Sequence, residues 1–167
     1  QYNPGTKFQY ADIGYDFLAL VIEHVSGMSY QKFMQQTIFE PLKMNNTFAL
    51  MVTDIRRIQN NQLAYGHSFE NGTFTHAHLQ PKYNFVSYLG DFYGDGSVVS
   101  TARDLAIWDE ALKKCNLLPC EIQNEAFEVP TYNGEIIYAR KNPNIAYGFG
   151  WFLKNTPSGK LVYHSGG

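Results

Sequence analysis

The sequence predicts an α+β fold for this chain of 167 residues. Three observations lead to that prediction. Apolar residues recur at helical spacing in the first third of the chain, and alternating patterns dominate the last third. Two Asn-Gly pairs, Asn71-Gly72 and Asn133-Gly134, stand between alternating segments and predict hairpins. Helices that precede strands and hairpins in this way are typical of the α+β class.

The composition is that of an ordinary globular chain, and it excludes several classes of function. Apolar residues make up 44% and charged residues 17% of the chain, and the formal net charge is −2. Because no basic run is present, nucleic acid and anionic membranes are not expected as partners. No apolar run approaches the roughly 20 residues that a membrane span needs. At this length, one domain with a sizeable core is the default.

Two helices are predicted in the N-terminal third. The first covers residues 13–26, with Asp12 at its N-cap and Ser26-Gly27 at its C-terminal end. The second begins at Ser29, which has the character of an N-cap, and Pro41 is expected to end it. The first helix is amphipathic, and its apolar stripe consists of Ile13, Phe17, Leu20, Val21 and Val25.

The middle of the chain predicts an irregular stretch followed by two more helices. Residues 77–96 contain Pro and several Gly residues and have no regular period. Thr101 and Asp104 form a capping-box pattern in front of the third helix. A shorter fourth helix is predicted over residues 121–127. The apolar residues of the third helix that are expected to be buried are Leu105, Trp108, Ala111 and Leu112.

The C-terminal third predicts two strands. The first covers residues 147–153 and alternates Phe149, Trp151 and Leu153 on one face. For Trp151 and Tyr147, core packing is favoured over the alternative that they line a pocket. The loop over residues 155–159 then turns the chain back into a second strand over residues 160–164.

The cysteines and histidines give no strong metal signal. Cys115 and Cys120 either form a local disulfide, if the protein is exported, or remain two unpaired thiols. A zinc site is disfavoured because the chain has no other cysteine. His67, His76 and His78 surround a hairpin without acidic or Cys partners nearby, so they are interpreted as surface histidines. We therefore expect no metal and no cofactor.

The last stretch of the chain, residues 160–167, carries the strongest functional signal. A short apolar run ends in a His, a Ser and two Gly residues, which is typical of a strand that brings a titratable side chain and a backbone amide to a site. The expected partner of this strand is the segment 8–12 at the other end of the chain. Taken alone, Tyr10 would be interpreted as a core aromatic residue and His164 as a strand-end histidine.

Six segments together resemble the serine β-lactamase and penicillin-binding-protein superfamily. The nearest branch is similar to class C β-lactamases and their esterase and D-aminopeptidase relatives. The segments cover almost the whole chain in the order found in the family. They are residues 4–15 (PGTKFQYADIGY), 23–30 (EHVSGMSY), 39–47 (FEPLKMNNT), 94–105 (GDGSVVSTARDL), 147–151 (YGFGW) and 164–166 (HSG).

The resemblance implies a β-lactamase/transpeptidase-like fold, represented here mainly by the helical subdomain and part of the antiparallel sheet. Enzymes of this family have three motifs around an acylated serine: Ser-x-x-Lys, Tyr-x-Asn and Lys/His-x-Gly. Residues 10–12 match the second motif and residues 164–166 match the third, in its His form. The first motif is then expected upstream of Gln1, and further strands and a helix after the third. Residues 1–167 are thus expected to be the central part of one domain.

The resemblance also implies roles for individual residues in the formation of an acyl-enzyme on an ester, amide, β-lactam or D-peptide substrate. Tyr10 would share in activating the serine, and His164 would supply a hydrogen-bond donor or a positive charge. These two residues are the catalytic candidates. The backbone amide of Gly167 would contribute to the oxyanion hole. The substrate-binding candidates are Asp12, Ser165, Gly166 and Gly167.

Asp12 departs from the family pattern, which has Asn at this position. Ionised Asp only accepts hydrogen bonds, whereas Asn both donates and accepts. A carboxylate beside Tyr10 disfavours the phenolate form of the tyrosine and favours a cationic partner. We therefore expect an esterase or peptidase-like activity, or a weakened enzyme, rather than β-lactam turnover.

A literal Ser-x-x-Lys pattern occurs at Ser29-Tyr30-Gln31-Lys32. Because Ser29 opens an apolar-striped helix, it is interpreted as an N-cap and not as the nucleophile. The isolated chain is therefore expected to be inactive. The alternative function is a non-catalytic peptide- or peptidoglycan-binding module of the same fold.

The expected partner is a small-molecule or peptide acyl substrate. An exposed sheet edge beyond His164 would also allow self-association. The family resemblance favours a periplasmic or secreted location.

Overall fold

The computed structural model describes residues 2–50, 63–64, 66–77, 94–139 and 144–166. These residues form helices and small antiparallel sheets, which confirms the α+β class. They divide into two compact units, Ala11–Asp109 and Gln1–Tyr10 with Glu110–Gly167, which are described in turn. Gly167 and most of the predicted irregular stretch, residues 78–93, lie outside the described residues.

The unit Ala11–Asp109 contains the predicted N-terminal helices and two short sheets. Its helical segments are α1 (Asp12–Ser26), α2 (Tyr30–Met34), a π-helical turn (Gln35–Phe39), α3 (Glu40–Leu42) and the start of α4 (Ala102–Lys113). Its strands are β1 (Phe48–Ala49), β2 (His67–Glu70), β3 (Thr73–His76) and β4 (Val98–Val99). Strand β1 pairs antiparallel with β4, and β2 pairs antiparallel with β3.

Helix α1 has the predicted length, but its apolar stripe is not its buried face. Ala19 is 1% exposed and lies in the buried cluster of this unit with Tyr30 and Ala49. In contrast, Phe17 is 61% exposed and Val25 is 79% exposed. The apolar stripe therefore predicted an amphipathic helix correctly. Among the described residues, however, the buried face of α1 is the one that carries Ala19, on the opposite side of the helix from the stripe.

The predicted ends of α1 are right at the C-terminus and wrong at the N-terminus. Gly27 follows the helix with φ 66° and its N–H donates to the Glu23 carbonyl, as a left-handed C-cap does. The N-cap is Ala11, whose backbone is extended, and Asp12 is already the first helical residue. The carboxylate of Asp12 thus lies in the first turn, where the positive end of the helix dipole favours it.

The second predicted helix begins as expected but continues past the proline. Ser29 is the N-cap of α2, because its Oγ accepts a hydrogen bond from the Lys32 N–H at 3.3 Å. Pro41 was expected to end the helix and instead lies in the first turn of α3, where a missing N–H does little harm. The helical path ends at Lys43, whose φ is 62°.

Asp104 joins the first turn of α4 to the segment that leads into β1. Its carboxylate accepts hydrogen bonds from the Asn46 N–H and the Thr47 hydroxyl, both at 2.8 Å, and its side chain is 1% exposed. The predicted capping contact is also present, since the Asp104 N–H donates to the Thr101 Oγ at 3.2 Å. Leu105, which was expected to be buried, is 55% exposed, whereas Ala111 further along α4 is 2% exposed.

The second unit contains the end of α4, a short helix and five strands. The helix is α5 (Cys120–Glu125), and the strands are β5 (Thr131–Tyr132), β6 (Glu135–Ile136), β7 (Ile145–Tyr147), β8 (Phe152–Thr156) and β9 (Gly159–Tyr163). Strands β5 and β6 form a hairpin, and β7, β8 and β9 form an antiparallel sheet in that order. A disulfide joins Cys115 to Cys120, so the unpaired-thiol alternative is excluded in this structure.

Both Asn-Gly hairpins are confirmed, and their backbone angles explain the sequence signal. Asn71 and Gly72 connect β2 to β3 with φ values of 51° and 79°. Asn133 and Gly134 connect β5 to β6 with φ values of 51° and 83°. Two consecutive positive φ angles are the requirement of a type I′ turn, which Asn-Gly satisfies better than other pairs.

The predicted strand over residues 147–153 is wrong, because it is interrupted by a tight turn. Strand β7 ends at Tyr147 and β8 begins at Phe152. Between them the Gly148 N–H donates to the Trp151 carbonyl at 2.8 Å, and Gly150 has φ 84°. A Cβ at Gly148 would collide with the Ala126 carbonyl. The alternation of apolar residues over 147–153 predicted one continuous strand, because that pattern gives no information about a turn at Gly148 and Gly150.

Within the described part of the chain, none of the helices combines the length and the apolar character that a membrane crossing requires.

Candidate active site

Tyr10 and His164, from opposite ends of the sequence, are neighbours in the same compact unit. Their ring centroids are 5.9 Å apart, with 37° between the ring planes. Tyr10 precedes Ala11, the N-cap of α1, and is 40% exposed. His164 follows the last residue of β9 and is also exposed. The expected meeting of the two segments is therefore observed, and both side chains are open to solvent.

Tyr147 completes this arrangement. Its hydroxyl lies 3.1 Å from Nε2 of His164, within hydrogen-bond distance, and the donor depends on the tautomer of the imidazole. The Tyr147 ring also meets the Tyr10 ring edge-on, with centroids 6.1 Å apart. Tyr147 thus contacts both catalytic candidates and fixes the direction of one His164 nitrogen.

The sheet β7–β8–β9 positions these side chains through its register. Tyr147 is opposite Phe152, and Phe152 is opposite Tyr163, the residue before His164. The Phe152 ring is 2% exposed and lies 4.8 Å from the Tyr147 ring and 5.2 Å from the His164 ring, measured between centroids. A buried aromatic ring packed against half-buried Tyr147 and exposed His164 restricts their rotamers, so Phe152 serves as a rigid base for both side chains.

The predicted substrate-binding residues after His164 are at the exposed end of the described chain. Ser165 and Gly166 are both exposed. The position that a Cβ would occupy on Gly166 has no heavy atom within 4 Å, so open space lies beside this backbone. Gly167, the candidate for an oxyanion-hole amide, lies outside the described residues.

Asp12 belongs to the other unit, and its surroundings there are acidic. Asp16 lies one turn further along α1, and its Oδ1 accepts the Gly94 N–H at 3.1 Å. The pKa of the Asp95 carboxyl is raised, first by burial and then by the negative charge of Asp16, with a smaller effect from Asp12; a backbone hydrogen bond opposes these effects. Gly94 is required at this turn because a Cβ would collide with the Tyr15 carbonyl.

The described residues contain no cluster of three or more His, Cys, Asp or Glu side chains that could hold a metal ion. His67 and His76 are directly opposite each other on β2 and β3, with ring centroids 4.3 Å apart, and both are exposed. His78 lies outside the described residues.

Tyr147 is the functional candidate that sequence reasoning assigned to the core. The sequence features that bear on a role of Tyr147 beside His164 are two turns. The two-residue turn between β8 and β9 and the glycine turn before β8 together determine the register that places Tyr147 beside His164. Because alternation favoured one continuous strand over the glycine turn, the sequence did not predict that register.

A family model described as Beta-lactamase matches residues 1–167, the whole chain. Among curated proteins, the chain is similar to "Penicillin-binding protein 4*" of Bacillus subtilis (strain 168), with 35% identity over 178 residues. That alignment covers 99% of this chain and 36% of the relative. The chain thus spans about a third of the length of that protein.

Two solved structures share the fold. The octameric penicillin-binding protein homologue from Pyrococcus abyssi has a TM-score of 0.77 and 24% identity, over 98% of this chain and 34% of that chain. The D-stereospecific amidohydrolase from a Streptomyces species has a TM-score of 0.66 and 23% identity, over 99% of this chain and 45% of that chain. At these identities the likeness concerns the fold alone.

Proposed function

The chain belongs to the Beta-lactamase family, and from that premise we propose that it is part of a serine hydrolase that acts through an acyl-enzyme. The observation that carries the proposal is the adjacency of Tyr10 and His164, whose ring centroids are 5.9 Å apart. They come from the two segments that match family motifs. Adjacent, solvent-accessible groups that can exchange protons and carry charge are what acyl transfer to a serine requires.

In the proposed reaction, a serine oxygen attacks the carbonyl carbon of an ester, amide, β-lactam or D-peptide. Tyr10 takes the serine proton and passes it to the leaving group, so the covalent product is a serine ester. Water then hydrolyses that ester and regenerates the serine. His164 stabilises the negative charge that develops on Tyr10 or on the substrate. The hydrogen bond between Tyr147 and His164 supports this role, because it orients the imidazole before the substrate binds.

We place the nucleophile in a part of the protein outside this chain. The one literal Ser-x-x-Lys match begins at Ser29, and the Ser29 Oγ is engaged as the N-cap of α2. The matched relative is nearly three times as long as its aligned part, which is consistent with a nucleophile on another segment. We therefore expect the isolated chain to be inactive.

The substrate-binding roles that we propose concern Asp12, Ser165, Gly166 and Gly167. Asp16 and Asp95 near Asp12 make that region acidic, which favours a substrate with a positive charge. Ser165 would donate to a substrate carboxylate or carbonyl. Gly166 has no Cβ, which allows close approach of an acyl group to its backbone.

Two further aspects of the protein are proposed on narrower grounds. The Cys115–Cys120 disulfide supports a periplasmic or secreted location, since structural disulfides persist in oxidising compartments. We also propose self-association through a sheet edge; among the described residues β9 is the outer strand of its sheet. The Pyrococcus abyssi relative is described as octameric, which is consistent with self-association.

The placement of the nucleophile outside this chain is tested by incubation of the 167-residue chain with nitrocefin and with p-nitrophenyl esters, followed by mass spectrometry of the intact protein. We expect no turnover and no adduct. An acyl adduct on Ser29 would contradict the assignment of this residue as an N-cap and would place the nucleophile inside the chain.

A further inference from the structure

A groove of about 640 Å³ begins at Tyr10 and lies between two segments of the same unit. One wall is the N-terminal segment that contains Tyr2, Lys7 and Tyr10. The other wall is the β5–β6 hairpin and the residues that follow it, up to Tyr138. Ligand sites for molecules of peptide size have volumes of about 300–1,000 Å³, so the groove has the capacity for such a ligand.

The walls of the groove are rich in aromatic side chains that remain open to solvent. Tyr2 is 57% exposed, Tyr132 and Tyr138 are each 43% exposed, and Tyr10 is 40% exposed. Ile136, which is 45% exposed, adds an aliphatic surface. Half-exposed aromatic rings offer stacking surfaces and hydroxyl groups together, so the groove favours a ligand with an aromatic or large apolar side chain.

The groove also contains one cation and one anion. The Lys7 ammonium lies 4.6 Å above the centroid of the Tyr2 ring, and Glu135 is on the hairpin wall opposite Tyr132 in the strand register. Both charged side chains are exposed, and neither forms an ion pair with any residue that the structure describes. A ligand that carries both an ammonium and a carboxylate would satisfy both charges.

Local contacts hold the hairpin wall against the N-terminal segment. The Tyr132 ring packs on Gly5, where the position of a Cβ would be 3.5 Å from the tyrosine Cδ2. The Ile137 N–H donates to the Pro130 carbonyl at 3.0 Å and closes the base of the hairpin. These two contacts restrain the hairpin wall, which lowers the entropic cost of ligand binding.

We propose that this groove binds the substrate of the proposed reaction, and that this substrate is a short zwitterionic peptide with an aromatic side chain. The scissile bond is the peptide bond before its C-terminal residue, so the free carboxylate leaves with the amine product when the serine ester forms. The ring of the peptide stacks on Tyr132 and Tyr138, its charged groups pair with Lys7 and Glu135, and its scissile carbonyl points toward Tyr10. This assignment rests on the proposed function, because it identifies the groove with the substrate site of that reaction.

The test is an NMR titration of the complete protein with the zwitterionic tripeptide Gly-Phe-Gly. We expect shift changes at the groove residues, and an affinity at least about threefold higher than for Gly-Ala-Gly or for Gly-Phe-Gly with both termini blocked. The Tyr132→Ala variant should weaken binding about two- to tenfold. The matched control is Phe149→Ala, which removes a ring that is 72% exposed in the same unit but outside the groove, and it should bind Gly-Phe-Gly like the parent chain.

Charge reversal tests the ionic part of the assignment. Lys7→Glu and Glu135→Lys should each weaken Gly-Phe-Gly binding, less so at 1 M salt, and the double variant should recover part of the affinity because it again presents both signs. Circular dichroism of each variant verifies folding. Equal binding of all three peptides, or Gly-Phe-Gly binding that Tyr132→Ala leaves intact, would overturn the proposal. So would concentration-dependent dimerisation through the groove without peptide binding.

This outcome is separable from that of the proposed function. If the complete protein binds the peptide specifically but forms no acyl-enzyme, the assignment of the groove is supported and the proposed hydrolase function is contradicted. If the protein forms an acyl-enzyme but does not bind the peptide specifically, the hydrolase function is supported and the assignment of the groove is contradicted.

Discussion

The Tyr147 hydroxyl and Nε2 of His164 lie 3.1 Å apart, above the buried ring of Phe152. Tyr147 ends β7 and His164 follows β9, so the sheet itself sets the distance between them. A hydrogen bond to one imidazole nitrogen restrains the direction in which the ring points. Tyr147 is thus a positioning residue for His164.

Tyr147→Phe removes this hydrogen bond and keeps the ring. We expect the ¹⁵N resonances of the His164 ring to show a changed tautomer ratio, and kcat/KM of the complete protein to fall about two- to tenfold, as for loss of one hydrogen bond. The matched control is Tyr163→Phe on β9, whose ring stacks on the other side of Phe152. Identical His164 resonances in the Tyr147→Phe variant and the parent chain would contradict the positioning role.

Asp104 is expected to make the stability of the unit Ala11–Asp109 dependent on pH in the acidic range. Burial alone would raise the pKa of this carboxyl, but hydrogen bonds from Thr47 and Asn46, with a contribution from Thr101, outweigh that effect and hold the pKa below its usual value. An unfolded Asp titrates near about 3.9. The stabilisation is therefore fully present above that pH and is lost as the pH falls through the lower pKa of the folded state.

Thermal unfolding of the Asp104→Asn variant tests this expectation. At pH 7 its Tm should be several degrees below that of the parent chain, and the difference should shrink as the pH falls below about 3.9. The control is Glu121→Gln, an exposed acidic residue in the first turn of α5. A Tm difference that is constant from pH 7 to the acid limit would show that the charge of Asp104 is not responsible.

The disulfide between Cys115 and Cys120 closes a short loop between α4 and α5. In the chain-entropy model a loop this small gives a stabilisation of about 2 kcal/mol. We expect Cys115→Ser/Cys120→Ser to lose about that amount in urea unfolding, and reductant to destabilise the parent chain but not the double variant. Labelling of two thiols per chain under denaturing, non-reducing conditions would show that the bond does not form.

Asp12→Asn is expected to alter electrostatics and substrate preference without abolishing activity. Since Asp12 and Asp16 both raise the pKa of Asp95, removal of either negative charge should lower it toward the ordinary value, and Asp16→Asn should do so more strongly. NMR titration of the Asp95 side chain measures this directly, with Glu40→Gln as the control. In the complete protein, the ratio of kcat/KM values for cationic and neutral esters should fall in Asp12→Asn. An equal loss against every acyl substrate would contradict a role in selectivity.

The sequence predicted those features of the fold that depend on local chemistry. The Asn-Gly pairs require positive φ angles, Gly27 requires a left-handed cap, and Ser29 has a hydroxyl suited to the Lys32 N–H, so each could be predicted from a few neighbouring residues. The family motifs also predicted that Tyr10 and His164 lie together.

Features that depend on long-range packing could not be predicted in the same way. The stripe that includes Phe17 and Val25 shows that α1 has an apolar face, but only the contacts of Ala19 reveal which face the described residues cover. The turn at Gly148 depends on the approach of the Ala126 carbonyl, which no local pattern encodes. The pairing of Tyr147 with His164 follows from that turn, so it became visible only in the structure.

The most direct test of the central claim is the rate of acyl-enzyme formation by the complete protein, followed by mass spectrometry with a p-nitrophenyl ester. We predict a serine ester at a residue other than Ser29, and a rate that falls about a hundredfold or more in Tyr10→Phe and clearly in His164→Ala, while Ser29→Ala retains the parent rate. If Tyr10→Phe and His164→Ala acylate as fast as the parent protein, the two residues do not form the catalytic site, and the account is wrong.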